Sequence, residues 1–218
     1  MSRADHFGAG AFEMCGRYTM AGPREAFEGH FGVAFPETGP CNVAPSQDVP
    51  VIRDAASTMR WGLVPAWSKE PRVNFSNIND RAETVTTSAS FRAAKARRCL
   101  MPADGFYEWG AGPPTVPHHF RLTWGEPFAF AGIWERWGES LETCALITTE
   151  ASAVVGPVHG RMPVTLYPGD YATWLDPKAP PDDQHSLLRP FDGPLTATAV
   201  GRYINSPGRE GPRCIEPD

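Results

Sequence analysis

GFYEWGAGPPTVPHHFRLTWGEPFAFAGIW, residues 105–134, decides the fold class. Gly105–Trp109, His119–Thr123 and Phe128–Trp134 are short runs rich in aromatic and apolar side chains. They are separated by Gly112-Pro113-Pro114 and by Gly125-Glu126-Pro127. Strand-length apolar runs bounded by Gly and Pro predict three consecutive antiparallel strands.

Working outward, Cys99–Pro102 reads as a short strand just upstream, and Thr143–Thr149, Met162–Leu166 and Leu195–Val200 as strands downstream, the last closing the sheet. Arg17–Met20, Val49–Arg53 and Thr58–Val64, stopped by Pro65, supply strands on the N-terminal side. Helical patterns are few and short. Pro23–Phe31 has Pro in its first turn and Gly32 as a stop, Phe91–Arg98 follows Ser90 as N-cap, and Gly169–Leu175 closes the set. The 23 prolines and 21 glycines are dispersed along 218 residues, which fits many short elements joined by turns and excludes a bundle or coiled coil. No internal repeat or linker divides the chain. The expected fold is α+β: a single compact domain over 14–218, with a curled, mostly antiparallel, barrel-like sheet and a few short helices. Met1–Glu13 shows no period and reads as a disordered leader or a misassigned start. It has neither the charged start nor the apolar run of a signal peptide, and no stretch of the chain is long and apolar enough to span a membrane.

The net charge of −5 argues, taken globally, against a nucleic-acid binder. The distribution is uneven. Between residues 72 and 98, Arg72, Arg81, Arg92, Lys95, Arg97 and Arg98 face only Asp80 and Glu83, a local excess of 6 − 2 = +4. That stretch is either a basic face for a polyanion or a solvated helix surface. Cys15, Cys41, Cys99, Cys144 and Cys214 are scattered, with no zinc-type or C-x-x-C spacing. An odd, unpaired set points to the reducing cytoplasm. No metal site or cofactor is expected.

Four segments place polar residues inside strand-like text. In Met14-Cys15-Gly16-Arg17-Tyr18, removal of Met14 would leave Cys15 with both an α-amine and a thiol, of ordinary pKa about 8 and 8.5. Such a residue forms a Schiff base with an aldehyde through the amine, then closes a thiazolidine through sulfur. Without processing, Cys15 is an ordinary core cysteine. Ile78-Asn79-Asp80-Arg81-Ala82-Glu83 offers amide, guanidinium and carboxylate together, or simply a turn with a surface ion pair. In Phe106-Tyr107-Glu108-Trp109 a carboxylate lies among aromatics, where burial raises its pKa and suits it to proton transfer, unless it faces outward. In His159-Gly160-Arg161-Met162 a titrating group precedes an anion-binding one, though a lone histidine also serves structural ends. Aromatics alternating with arginines, as around Trp61, Trp67 and Phe75, can stack bases or fill a core.

Together these segments resemble the SRAP family of SOS-response-associated peptidase-like, abasic-site processing proteins. The likeness runs from Met14 to Pro217 through MCGRYTM, CNVAP, MRWGLVPAW, INDRAETV, FRAAKARRCLMPADGFYEW, FAFAGIWERW, ALITTEA, VHGRMPV and YINSP, in that order. The resemblance implies a compact α+β fold and covalent capture of abasic sites in single-stranded DNA as a thiazolidine, shielding the lesion. Carried over by motif, Cys15 is the nucleophile, Asn79 positions its amine or the sugar, Glu108 transfers protons and His159 assists imine chemistry. Arg81 and Arg161 match phosphate contacts, Asn42 and Thr149 match polar positions lining the cleft, and Trp67 matches the apolar element that abuts the bases. Two departures stand out: Gly160 where the motif usually has Asp, and Asp80 where it usually has Ala, which adds a negative charge near the DNA.

The thirteen residues before Met14 would block thiazolidine chemistry while attached, so either translation starts at Met14 or the leader is cleaved. Two rival readings follow. One is an N-terminal-nucleophile peptidase acting on itself or on other chains, as the family's older label suggests. The other is a non-catalytic module that binds single-stranded DNA. The expected partner is single-stranded DNA with abasic sites. The expected state is a cytoplasmic monomer, nucleoid-associated when bound to DNA.

Overall fold

The computed structural model describes residues 15–36, 38–72, 77–87 and 96–218. In chain order the strands are β1 (Tyr18–Thr19), β2 (Asp48–Ile52), β3 (Ala56–Trp61), β4 (Asn79–Arg81), β5 (Arg98–Ala103), β6 (Gly105–Trp109), β7 (Pro117–Leu122), β8 (Phe128–Trp137), β9 (Leu141–Glu150), β10 (Arg161–Pro163), β11 (Thr165–Leu166) and β12 (Leu195–Ala199). Three short helices accompany them: α1 (Arg24–Phe31), α2 (Tyr171–Leu175) and α3 (Pro181–Ser186).

Five strands close on themselves. β2 pairs with β3, β3 with β9, β9 with β8, β8 with β5, and β5 returns to β2 through Ile52 and Leu100. All of these pairs are antiparallel except β3–β9. The curled, mostly antiparallel barrel expected from sequence is therefore present. A second sheet, in the order β1-β6-β7-β12, lies beside it. The chain passes from barrel to second sheet at Asp104, the single residue between β5 and β6. Tyr18, Trp61, Phe106 and Phe130 join the two into one core: Tyr18 packs on Trp61 and on Phe130 at 5.2 and 5.9 Å between ring centroids, and all four are buried.

One expectation needs correction. Residues 105–134 do not form three consecutive paired strands. β6 and β7 pair, but β8 leaves them and inserts between β5 and β9. The physical reason lies in the side chains. Phe128–Ile133 is buried at every position, as a strand covered on both faces is, whereas β7 exposes Arg121 on its outer face. The run expected over Met162–Leu166 is likewise two strands, β10 on β9 and β11 on β8. Val164 bridges them, donating its N–H to Ile147 O and accepting from Ala131 N–H.

The helix expected from Pro23 is α1, stopped by Gly32 in the left-handed region at φ 67°. The helix expected over 91–98 lies outside the described residues except at its end, where Arg98 already belongs to β5. α3 carries too little apolar periodicity to be read from sequence, and only Gln184 in it is buried.

The ten-residue β9 outruns its neighbours. Past Trp61 the chain leaves β3 at Gly62, φ 121°, and β4 takes up the vacated edge, with Asn79 beside Leu146 and Arg81 beside Thr148. On the other edge β10 replaces β8. The extended end of β9, flanked by β4 and β10, is one wall of the site.

Candidate active site

The other wall is β6. Tyr18 pairs with Phe106 and Thr19 with Gly105, and Tyr107 N–H donates to Arg17 O. Continued toward the N-terminus, that antiparallel register carries the chain past Glu108. Cys15 is thereby held against it: the Cys15 backbone nitrogen donates to Glu108 Oε1 at 2.9 Å. Cys15 is buried and sits at φ 54°, a left-handed conformation uncommon for a residue with a side chain.

Two further elements close on this pair. Asn79, opening β4, donates from Nδ2 to Cys15 O at 3.4 Å. His159, in the turn before β10, places Nδ1 3.7 Å from Glu108 Oε2, an electrostatic contact longer than a hydrogen bond. The same nitrogen is anchored by the backbone of Arg161, 3.1 Å from its O and 3.2 Å from its N. His159 is thus oriented by backbone rather than by a side chain at position 160. A Cβ on Gly160 would meet nothing within 4 Å, so the departure from Asp there has no steric cause.

Burial dominates the electrostatics. Glu108, 2% exposed, has its carboxyl pushed up to about 7 by desolvation, against the opposing pull of His159 and of the bonds from Cys15. Burial also pushes the Cys15 thiol well up; the Glu108 charge adds to this and Arg161 opposes it. A neutral thiol thus lies beside a carboxyl that titrates near neutrality, the matching that general acid–base chemistry requires. Among the described residues no three His, Cys, Asp or Glu side chains converge to hold a metal ion.

The structure thus brings Cys15, Asn79, Glu108, His159 and Arg161 together. Arg81 lies two residues beyond Asn79 on β4 and is exposed. Trp67 stands 72% exposed on the loop between β3 and β4, a loop pinned by the Trp137 Nε1 donation to Ser68 O at 2.8 Å. Thr149 is buried in β9 opposite Met162, away from solvent. Asp80 also turns inward. Its Oδ1 accepts Arg81 N–H at 2.8 Å, Oδ2 is buried without a partner, and burial pushes its carboxyl up to about 6. The expectation that it adds charge near DNA is corrected by that orientation.

Asn42 does not line a cleft. It is fully buried and acts as a staple: Nδ2 donates to Ile204 O, Ser206 O and Arg209 O, while Oδ1 accepts from Arg17. It clasps the C-terminal segment to β1, and nothing in its short polar side chain distinguished that duty from ligand contact. Asn42→Ala should therefore lower unfolding free energy by on the order of 2–3 kcal/mol, because the Ile204, Ser206 and Arg209 carbonyls lose their donor and Arg17 loses a buried acceptor. A denaturant titration checks this, and an unchanged midpoint would remove the stapling role given to Asn42.

The basic stretch is also not a free field. Arg97 pairs with Glu135, Arg98 lies over Trp174, and Arg72 sits 3.5 Å from Glu70; Arg92 and Lys95 lie outside the described residues. Sequence reasoning missed Thr148, and took Glu83 only for a possible surface ion pair. Both hold Arg161. A carboxylate in the same motif as two arginines was the available signal for Glu83; a β-strand threonine gave none.

The chain is 37% identical over 222 residues to the abasic site processing protein YoqW of Bacillus subtilis, covering 93% of this chain and 99% of that one. It is 32% identical to the abasic site processing protein HMCES of Gallus gallus, covering 78% of this chain and 60% of that longer protein. Among solved structures, a Bacteroides thetaiotaomicron protein superposes with a TM-score of 0.86 at 23% identity, over 94% of this chain and 100% of that one. A Bordetella bronchiseptica protein gives 0.77 at 28% identity, over 86% and 100%. The family model described as SOS response associated peptidase (SRAP) matches residues 14–207, and the chain belongs to that family.

Proposed function

We propose that this protein processes abasic sites in DNA, and that it does so by covalent capture through Cys15. The names of its relatives support lesion processing. The single observation that carries the covalent reading is the 2.9 Å contact between the Cys15 α-nitrogen and the buried Glu108 carboxyl, with the thiol of the same residue alongside. Cys41 N–H also donates to a carboxyl, that of the exposed Glu210, so what sets Cys15 apart is that its partner is buried and titrates near neutrality. A carboxyl so placed can take and return protons at a free α-amine.

The chemistry balances with these groups alone. An abasic site is mainly a closed hemiacetal. Glu108, its carboxyl raised by burial to about 7, gives a proton to the ring oxygen as the anomeric hydroxyl loses one, opening the aldehyde. The neutral α-amine adds to the carbonyl carbon, the carbinolamine loses water, and an imine forms. The Cys15 sulfur then adds to the imine carbon as its proton passes to nitrogen, closing a thiazolidine with net loss of one water. Asn79, on the Cys15 carbonyl, fixes the nucleophile's orientation, and His159, 3.7 Å from the far oxygen of Glu108, favours the ionised carboxylate electrostatically.

Arg81, exposed beside Asn79, is assigned to a backbone phosphate, and the exposed Trp67 to base stacking. Arg81→Ala should weaken binding of single-stranded DNA and flatten the dependence of log affinity on log salt by about 0.7. Fluorescence anisotropy across a salt series checks this, and an unchanged slope would strike Arg81 from the phosphate contacts. The proposal as a whole is tested by mixing protein started at Met14 with single-stranded DNA carrying one abasic site, and confirming by intact mass that the chain begins at Cys15. A denaturation-resistant adduct with damaged but not with intact DNA is the expected result. Release of a peptide from added substrates with no adduct would favour the peptidase reading instead.

A further inference from the structure

Arg161 is expected to contact a DNA phosphate, yet its guanidinium is already occupied. Glu83 takes it as a fork, with Nη1 donating to Oε1 at 2.7 Å and Nη2 to Oε2 at 3.0 Å. Nη2 also donates to Thr148 O at 2.8 Å and Oγ1 at 3.2 Å, and Nε is buried. A phosphodiester engages arginine through the same two-pronged edge that a carboxylate uses. Carboxylate and phosphate therefore cannot hold that edge together.

The two partners differ in freedom. The Arg161 side chain is 15% exposed and tied to β9 through Thr148, whereas Glu83 is 52% exposed, in the turn that follows β4. Glu83 can rotate into water and remain hydrated; Arg161 cannot follow it. The Glu83 carboxyl is held below its ordinary range, first by the bonds from Arg161 and further by the charges of Arg161 and Arg81, so the fork is an ion pair at neutral pH. Asp80 faces inward and offers no second carboxylate to this edge.

We infer that Glu83 holds the place of a DNA phosphate at Arg161, and that binding a single strand exchanges the carboxylate for the strand's own phosphate. The inference rests on the single-stranded DNA reading above. It makes Glu83 a determinant of strand affinity. Before binding, two arginines and one glutamate give this edge 2 − 1 = +1, and the second positive charge becomes available only when Glu83 leaves.

The test uses an undamaged single-stranded oligonucleotide, so that cross-linking chemistry plays no part. Binding by the unmodified protein, Glu83→Gln and Glu83→Ala is measured by fluorescence anisotropy across a salt series. Either substitution lets Arg161 take the same phosphate with no carboxylate to displace. Binding should tighten by roughly fivefold at low salt, the worth of the exposed ion pair that no longer has to be broken, while the slope of log affinity against log salt stays near that of the unmodified protein because the number of phosphates held is the same. In an Arg161→Ala background, Glu83→Gln should change neither quantity. Unchanged or weaker binding in both Glu83 variants would overturn the exchange and leave Glu83 as a residue that merely orients Arg161. Failure of the unmodified protein to bind single strands at any salt would instead remove the single-strand reading, and the exchange with it.

Discussion

Protein begun at Met14 and carrying Cys15→Ala should give no denaturation-resistant adduct with abasic single-stranded DNA, while the unsubstituted protein gives one in high yield. The effect is all or none because the stable product needs two bonds from one residue. In the Cys15→Ala protein the terminal α-amine can still form an imine, but without sulfur the imine carbon has no second nucleophile in place and hydrolysis returns the aldehyde. A borohydride quench should therefore trap an adduct with Cys15→Ala that disappears without reductant. That separates the amine's part from the thiol's, which a simple loss of function would not. Protein that retains Met1–Glu13 should behave differently again, giving no trapped imine and no stable adduct, because its Cys15 nitrogen is an amide. A stable adduct from Cys15→Ala without reductant would remove Cys15 from the chemistry, and with it the meaning given to the contact with Glu108.

The site was legible in sequence to the extent that its residues carry chemistry in their own side chains. Cys15, Asn79, Glu108, His159 and Arg161 stood out because a thiol, amide, carboxyl, imidazole or guanidinium inside strand-like text is unusual, their roles came from the family resemblance, and the structure gathers all five. What sequence did not yield is pairing. Asn42 looks like a ligand contact until three backbone carbonyls from 204–209 are found on its amide. Arg97 and Arg98 look like a basic face until Glu135 and Trp174 are found beneath them. The same limit shaped the fold. Period and punctuation located most strands within a few residues, but the partner of β8 depends on barrel closure, a long-range property that residues 105–134 do not contain. Local text reports what a residue is, and the fold decides whether its charge or hydrogen bond is already taken.

Glu108→Gln tests the group on which the proposed mechanism turns. The amide keeps the shape of the carboxyl, and its carbonyl oxygen can still accept from the Cys15 nitrogen. It cannot carry a proton. Hemiacetal opening and the reversal of a formed adduct should each slow by about 10²–10⁴-fold, the usual contribution of a positioned acid or base. The thiazolidine should still form given time, since Cys15 is intact. The pH profile of the reaction should lose its inflection near 7, the value to which burial raises this carboxyl. Stability provides an independent readout. A folded-state pKa of about 7 against an ordinary 4.5 means that the folded chain holds this proton more tightly than the unfolded chain does. The resulting stabilisation is full below pH 4.5 and is lost as pH rises through 7, by about 3 kcal/mol in all. Asp80, raised to about 6 from 3.8, adds a loss of the same sign over a lower window. Glu108→Gln should therefore be no more stable than the unsubstituted protein at pH 4.5 but clearly more stable at pH 8, with the residual slope between pH 4 and 6 left to Asp80. Denaturant titrations at the two pH values check the stability, and gel time courses of adduct formation and release check the rates. Unaltered rates together with an unaltered pH dependence of stability would place the Glu108 proton outside both the chemistry and the buried environment argued for it. Slowed rates with the pH dependence removed would tie the two together, because the desolvation that destabilises the ionised carboxyl also brings its pKa to where proton transfer at neutral pH is efficient.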